Sequence, residues 1–330
     1  MKTKTGWYPL HIAIYHQKID VINFLLEEDI LKTINDDVNG YTFLIFACSF
    51  GYEDVVKILI NVKGIDIDTN SSNNTNAIKS ACMNNNWNIV NILINLKKSN
   101  EEKINYINKN ILLHIAAEKN YLKMLINLMK YKPDLNYKTR IGWSALHYAA
   151  KNNNFEIFRE LIKGGAFIND FDNQWNTPLH IACEEKQIKF IHHVLNTYHG
   201  NLININSSNI NGDTPLHIVC ESGIYEISRL LLENGARADV LNKNHETPLH
   251  IACKYNNKIT INLLLEKYPD IINKRSISGK TALYCAVEMN NCSVVSCLLN
   301  YNPDINIENN NKISPLQIAY ENNIAILLKY

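Results

Sequence analysis

The sequence predicts an all-α chain of stacked helix–turn–helix units joined by projecting hairpin loops, and three observations predict it. An apolar marker returns at Leu10, Leu44, Ile78, Leu113, Leu146, Leu179, Leu216, Leu249, Leu283 and Leu316, at intervals of 34, 34, 35, 33, 33, 37, 33, 34 and 33 residues. Three residues after each marker stands Ala13, Ala47, Ala81, Ala116, Ala149, Ala182, Val219, Ala252, Ala286 or Ala319. The stretch around the marker keeps its wording, as "TPLHIAC" from Thr177 and Thr247, "TPLHIVC" from Thr214 and "SALHYAA" from Ser144. Such a period marks a repeat array, and a small residue held at one place in it marks close approach of neighbouring helices.

Each period contains the same parts. Thr opens the first helix as its N-cap and Pro fills the first turn, where a missing N–H costs nothing. A polar turn such as "ESG" (221–223) or "KNNN" (151–154) ends that helix. The second helix carries an apolar stripe, as in Val55, Val56, Leu59 and Ile60, or Ile227, Leu230 and Leu231. Glycine or Pro-Asp stops it in "NGARAD" (234–239), "GGAFIN" (164–169) and "YNPDIN" (301–306). An extended segment then leads to a Gly turn and the next opening. The ten units fall at about 5–37, 39–70, 73–105, 108–138, 141–170, 174–207, 211–241, 244–275, 278–308 and 311–330, read as a single domain over residues 1–330.

This pattern resembles the ankyrin repeat over essentially the whole chain. The family's opening, Gly-x-Thr-Pro-Leu-His-x-Ala, is nearly complete in "GDTPLHIV" (212–219) and good in "HETPLHIA" (245–252), "WNTPLHIA" (175–182) and "GKTALYCA" (279–286). It is degraded in "NTNAIKSA" (74–81) and "KNILLHIA" (109–116). The resemblance implies a right-handed solenoid with helices in two layers, β-hairpin tips along one edge, and binding of other proteins. It also implies that the motif histidines (His11, His114, His147, His180, His217, His250) brace the hairpins. A metal array is disfavoured independently, because neighbouring copies about 10 Å apart cannot share ligand positions near 2 Å from one ion. In the family's loops, asparagine is hydroxylated where it follows Leu, five residues, Asp and an apolar residue. Asn136, after Leu128 and Asp134, and Asn306, after Leu298 and Asp304, fit that context.

Composition removes other classes. The net charge of +1 gives no bulk attraction for nucleic acid or anionic membrane. No apolar run approaches the roughly 20 residues a bilayer span needs, and the first residues read as no leader. Cys48, Cys82, Cys183, Cys220 and Cys253 follow the small core residue and read as a buried column of free thiols. Phosphate-loop, GxSxG and HExxH signatures are missing, so the expectation is a non-enzyme with no cofactor and no metal. The 50 asparagines among 330 residues read as compositional bias.

Binding residues are sought where the repeats differ. Slots near the hairpin tips and at the first-helix ends hold Trp7, Tyr15, Tyr41, Phe50 and Met83 early in the chain, with Trp143 following and Lys119 and Lys151 beside them. Later repeats show acids in the same slots, Glu184, Glu185, Asp213, Glu221 and Glu246, together with Tyr255. Exposed Trp and Tyr dominate binding hot spots. The sequence therefore predicts a monomeric interaction scaffold of the cytoplasm or nucleus, docking a partner protein on the tips and first-helix face. A regulatory or targeting module of a larger enzyme, channel or host-directed effector is the second reading. The third repeat, with Lys79 in the bracing slot and the long connection 96–110 after it, is expected to be the weakest, and the seventh and eighth the strongest.

Overall fold

The computed structural model describes residues 6–27, 33–96, 106–198, 202–322 and 324. They form two compact units, Met1–Leu135 and Asn136–Tyr330. Among the described residues there are nineteen α-helices and no strand. In the first unit the first helices are Pro9–Tyr15, Phe43–Phe50, Ala77–Met83 and Tyr106–Glu118, paired with Ile19–Glu27, Glu53–Leu59, Trp87–Leu96 and Leu122–Met129. In the second unit they are Ala145–Lys151, Pro178–Glu184, Pro215–Ser222, Pro248–Lys254, Ala282–Glu288 and Pro315–Glu321. The first five of these pair with Phe155–Lys163, Ile188–Thr197, Tyr225–Glu233, Lys258–Lys267 and Cys292–Leu299. The second helix expected for the tenth repeat, like most of the connection expected at 96–110, lies outside the described residues.

Local chemistry sets these boundaries. Thr42 Oγ1 accepts the Ile45 N–H at 3.2 Å and Asn76 Oδ1 accepts the Lys79 N–H at 3.0 Å, so each helix opens on a satisfied cap. First helices close on a left-handed residue: Gly51 (φ 79°) and Gly223 (φ 70°) do so, and Asn85, Asn120, Asn153, Asn256 and Asn290 take the same place with φ between 52° and 60° or 62°. Asn tolerates that conformation better than other side-chain-bearing residues. Part of the asparagine excess is therefore structural rather than compositional. Tyr106–Glu118 runs to 13 residues, longer than its counterparts, because no Thr-Pro pair punctuates "KNILLHIA".

Packing follows the period. Within each unit, first helices lie against first helices of the next repeat and second helices against second. Ala47, Ala81, Ala116, Ala149, Ala182, Val219, Ala252 and Ala286 are wholly buried along the contact. Val55, Val56 and Leu59, and likewise Ile227, Leu230 and Leu231, bury the stripe of the second helix, each worth about 1.5–3 kcal/mol. All eight cysteines are free, with Cys48, Cys82, Cys183, Cys220 and Cys253 buried in their column. Burial raises these thiols, Cys82 to about 12.

The hairpins are shorter than strands. Asp172 N–H donates to Asn176 O at 3.0 Å and Trp175 N–H returns to Asp172 O at 3.0 Å, closing a turn with no ladder beyond it. Asn209, Asp213 and Gly212 repeat the arrangement at 2.9 Å. In the first unit Ser71, Thr75 and Asn74 repeat it at 2.8–2.9 Å, and Val38 pairs with Tyr41 in an isolated bridge. Successive turns are tied instead to each other, Ile210 N–H to Gln174 O at 2.8 Å and Lys243 N–H to Asn211 O at 2.9 Å. Among the described residues no helix is long and apolar enough to cross a membrane.

Candidate partner-binding faces

Four motif histidines are staples. Nδ1 of His147, His180, His217 and His250 accepts the backbone N–H of Ser144, Thr177, Thr214 and Thr247 at 3.1–3.2 Å. The same nitrogen lies 2.8–3.0 Å from the cap hydroxyls. Because Nδ1 accepts from the main chain, the ring proton sits on Nε2, which donates to Asn176 O, Asp213 O, Glu246 O and Lys280 O at 3.0–3.1 Å. Both ring nitrogens are thus committed to the fold. Each staple spans one repeat and grips the tip residue of the next. Burial holds all four rings below the usual histidine range, His180 at about 4.

The tips answer differently from the expectation that their side chains face water. Trp143 is half-buried: its Nε1–H donates to Asp172 Oδ2 at 3.1 Å, and it packs on His147 and Tyr148 with Lys151 Nζ 5.4 Å over the ring. Asn176 Oδ1 accepts from Asn209 Nδ2 at 3.1 Å, and Asp213 Oδ1 accepts from Asn242 Nδ2 at 2.9 Å. Glu246 is buried and ion-paired to Lys254, so it drops out of the acidic strip. Lys280 pairs with Glu288 at 2.7 Å. A varied slot is therefore not a displayed slot here, because each tip side chain finds a different internal partner.

In the first unit Trp7 and Tyr41 are likewise half-buried. Their rings meet buried Phe46 edge-on, with centroids 5.0 and 5.8 Å away. What does face water is a row on three successive first helices: Ile12 (40% exposed), Tyr15 (49%), Phe50 (50%) and Met83 (45%). Tyr15 and Phe50 meet edge to face at 6.0 Å, and Phe50 stacks on Tyr52 at 5.6 Å. Lys119, exposed in the fourth repeat, pairs with Glu118 at 3.4 Å.

In the second unit the expected acids lie on a mixed face. Glu184 and Glu221 are exposed, Glu185 pairs with Lys151 at 3.3 Å, and Tyr255 hydrogen-bonds Glu221, a contact that raises its phenol. Glu184, Lys186, Asp213, Ile218, Glu221 and Tyr255 line a groove of about 690 Å³. Lysines interleave with the acids, so the strip carries less field than its sequence suggested. Asn136 Oδ1 accepts the Phe167 N–H at 2.8 Å, clamping the neighbouring loop, while Asn306 is exposed.

One residue escaped the sequence reading. Trp175 stands in the turn at φ 61°, the position held by Gly40, Gly142, Gly212 and Gly279 at φ 77–85° and by Asn74, His245 and Lys312 at φ 52–64°. A left-handed L-residue costs roughly 1–2 kcal/mol. The signal was present as a bulky Trp, opening "WNTPLHIA", in a slot that is otherwise glycine or a polar residue.

A family model described as ankyrin repeats in three copies matches residues 1–71, 113–206 and 191–276, and one described as an ankyrin repeat matches 278–310. The mouse B-cell lymphoma 3 protein homolog is 25% identical over 221 residues, 66% of this chain and 49% of that protein. The chicken nuclear factor NF-kappa-B p105 subunit is 25% identical over 214 residues, 63% of this chain and 18% of that protein. The chain thus spans half or less of these relatives' lengths. The crystal structure of the ankyrin repeat domain of Bcl-3 superposes with a TM-score of 0.61 at 26% identity, covering 66% of this chain and 97% of that one.

Proposed function

Because this chain belongs to the ankyrin-repeat family, whose arrays bind other proteins, we propose that it is a non-enzymatic scaffold that docks a partner protein on the first-helix face of its first unit. One observation carries the reading: Ile12, Tyr15, Phe50 and Met83 stand uncovered on adjacent first helices, with Tyr15 and Phe50 in contact. Together they expose roughly 300–400 Å², the size at which a patch on a monomer is often functional. Covering it is worth about 8 kcal/mol gross at about 25 cal/mol/Å², much of it offset by ordering and association. Trp7 and Tyr41 support the row from behind through Phe46, and Lys119 supplies a rim charge suited to an acidic segment of the partner.

In the second unit Trp143, Lys151, Glu184, Glu185, Glu221 and Tyr255 form a mixed polar face that adds selectivity. The unbridged, buried thiols suit a reducing compartment, cytoplasm or nucleus. The 18% share of the p105 relative favours a second reading, in which the array is the targeting or regulatory module of a longer protein. Affinity capture followed by mass spectrometry from the native cell, with wild type beside Tyr15→Ser/Phe50→Ser and Glu184→Lys/Glu221→Lys, tests the assignment. The partner should be lost from the first variant and retained by the second. The opposite pattern places docking on the mixed face instead.

A further inference from the structure

Trp175 is the bulkiest of the side chains that take a left-handed turn position which Gly40, Gly142, Gly212 and Gly279 share with Asn74, His245 and Lys312, and its ring faces solvent, 59% exposed. Strain retained where the fold gains little from the side chain points to a role outside the fold. Phe171, 52% exposed, stands with it as the second wall of a recess of about 410 Å³. Thr177, Asn169, Asn204, Ser207 and Ser208 complete the lining. The last three lie in the longest marker interval of the chain, the 37 residues from Leu179 to Leu216.

The chemistry of the lining selects its occupant. No formal charge lines the recess. The cation over the Phe171 ring is already satisfied: Lys138 pairs with Asp170 at 2.8 Å, donates to Phe171 O, and lies 4.5 Å from the ring centroid. A charged ligand group would lose water here without gaining an ion pair. Asn169 is also engaged, accepting the Asn204 N–H at 2.9 Å and donating to Leu202 O at 2.8 Å. The Thr177 hydroxyl is engaged by His180 Nδ1 at 2.8 Å, so the remaining polar groups are an amide, two hydroxyls and the indole N–H, all able to donate. Aromatic walls beside donors suit an extended polyproline-type segment. Its rings lie flat on aromatic faces, its prolines bring no N–H needing an acceptor, and its unpaired carbonyls accept. A helical ligand would instead need a longer groove with anchors at i, i+3 or i+4.

We propose that the recess walled by Phe171 and Trp175, with Asn204, Ser207 and Ser208 in its lining, binds an extended proline-containing segment of a partner protein. The proposal uses none of the first unit's residues, so it stands or falls separately from the apolar row.

Selection of a phage-displayed random dodecapeptide library on the full chain, with Trp175→Gly as the counter-target, tests it. Enriched peptides should carry two or more prolines, and their affinity should fall at least tenfold on Trp175→Gly and on Phe171→Ser. Glycine relieves the left-handed strain, so the unfolding midpoint of Trp175→Gly should equal or exceed that of wild type. If that midpoint instead falls, Phe171→Ser decides, because its ring is a wall and not a turn residue. Enriched sequences without proline, a charged consensus, affinities within threefold on both variants, or no peptide preferring wild type would each overturn the proposal. Saturable binding of maltoheptaose lost in both variants, without proline selection, would make the recess a glycan site and overturn it equally.

Discussion

Mild acid should release the repeat-to-repeat staples of the second unit. Each of His147, His180, His217 and His250 uses Nδ1 as an acceptor inside the fold, so a second ring proton must break the cap bonds and charge a buried ring. The folded value is therefore depressed, for His180 from 6.5 to about 4, chiefly by burial. The unfolded chain then binds the proton first, so the stabilisation is complete above the unfolded value near 6.5 and is lost as pH falls through the folded one. At 1.36 kcal/mol per unit, the His180 displacement amounts to about 3 kcal/mol, of which about 2 kcal/mol is gone by pH 5. Urea unfolding followed by far-UV circular dichroism at pH 7.5 and pH 5 reads this directly. The control is His180→Gln. Gln317 already shows that an amide oxygen can accept the cap N–H, from Ser314 at 2.6 Å. The variant should be less stable at pH 7.5, yet its loss between pH 7.5 and 5 should shrink by about 2 kcal/mol. Equal pH dependence in the two proteins, or a gain in stability on acidification, would refute the staple account.

Hydrogen exchange should find residues 70–96 opening before 210–265, because Lys79 Nζ bonds its own loop at Asn74 O, whereas His217 and His250 grip the next repeat; the reverse order would count against it. Gly212→Ala should destabilise by about 1–3 kcal/mol, since φ is 80° and a Cβ would meet Lys243 N at 2.6 Å; an unchanged melting temperature would contradict this. In cells with an asparaginyl hydroxylase, peptides containing exposed Asn306 should gain the mass of one oxygen more readily than those containing Asn136, whose amide clamps Phe167. Unmodified Asn306 from such cells ends that assignment.

Most of the architecture was legible because packing repeats itself. The alanine column recurs in nearly every repeat, the Thr-Pro caps in three and the buried cysteines of the column in five, and the structure places each as the period requires. The site was less legible because it depends on what each exception does. Trp7, Tyr41 and Trp143 are large and variable, which in sequence suggests display. Their rings are partly taken by Phe46, His147 and Asp172, residues that lie 29 to 39 positions away or in the first helix that follows the tip. Glu246 is hidden by a lysine eight residues on. Only Tyr15, Phe50, Met83 and Tyr255 among the expected apolar contacts stay near half-exposed. Trp175 does not stand out among the tip slots because it lies one residue before the tip, at the left-handed turn position.

The central claim is that a partner covers the first-helix face of the first unit, and hydroxyl-radical footprinting of the chain with and without its captured partner tests it most directly. Tyr15, Phe50 and Met83 are reactive side chains about half exposed, and Phe24, 62% exposed on a second helix, is an internal reference. Binding should sharply reduce oxidation at Tyr15, Phe50 and Met83 and leave Phe24 unchanged. Protection of Phe24 with undiminished oxidation of the other three would contradict the account.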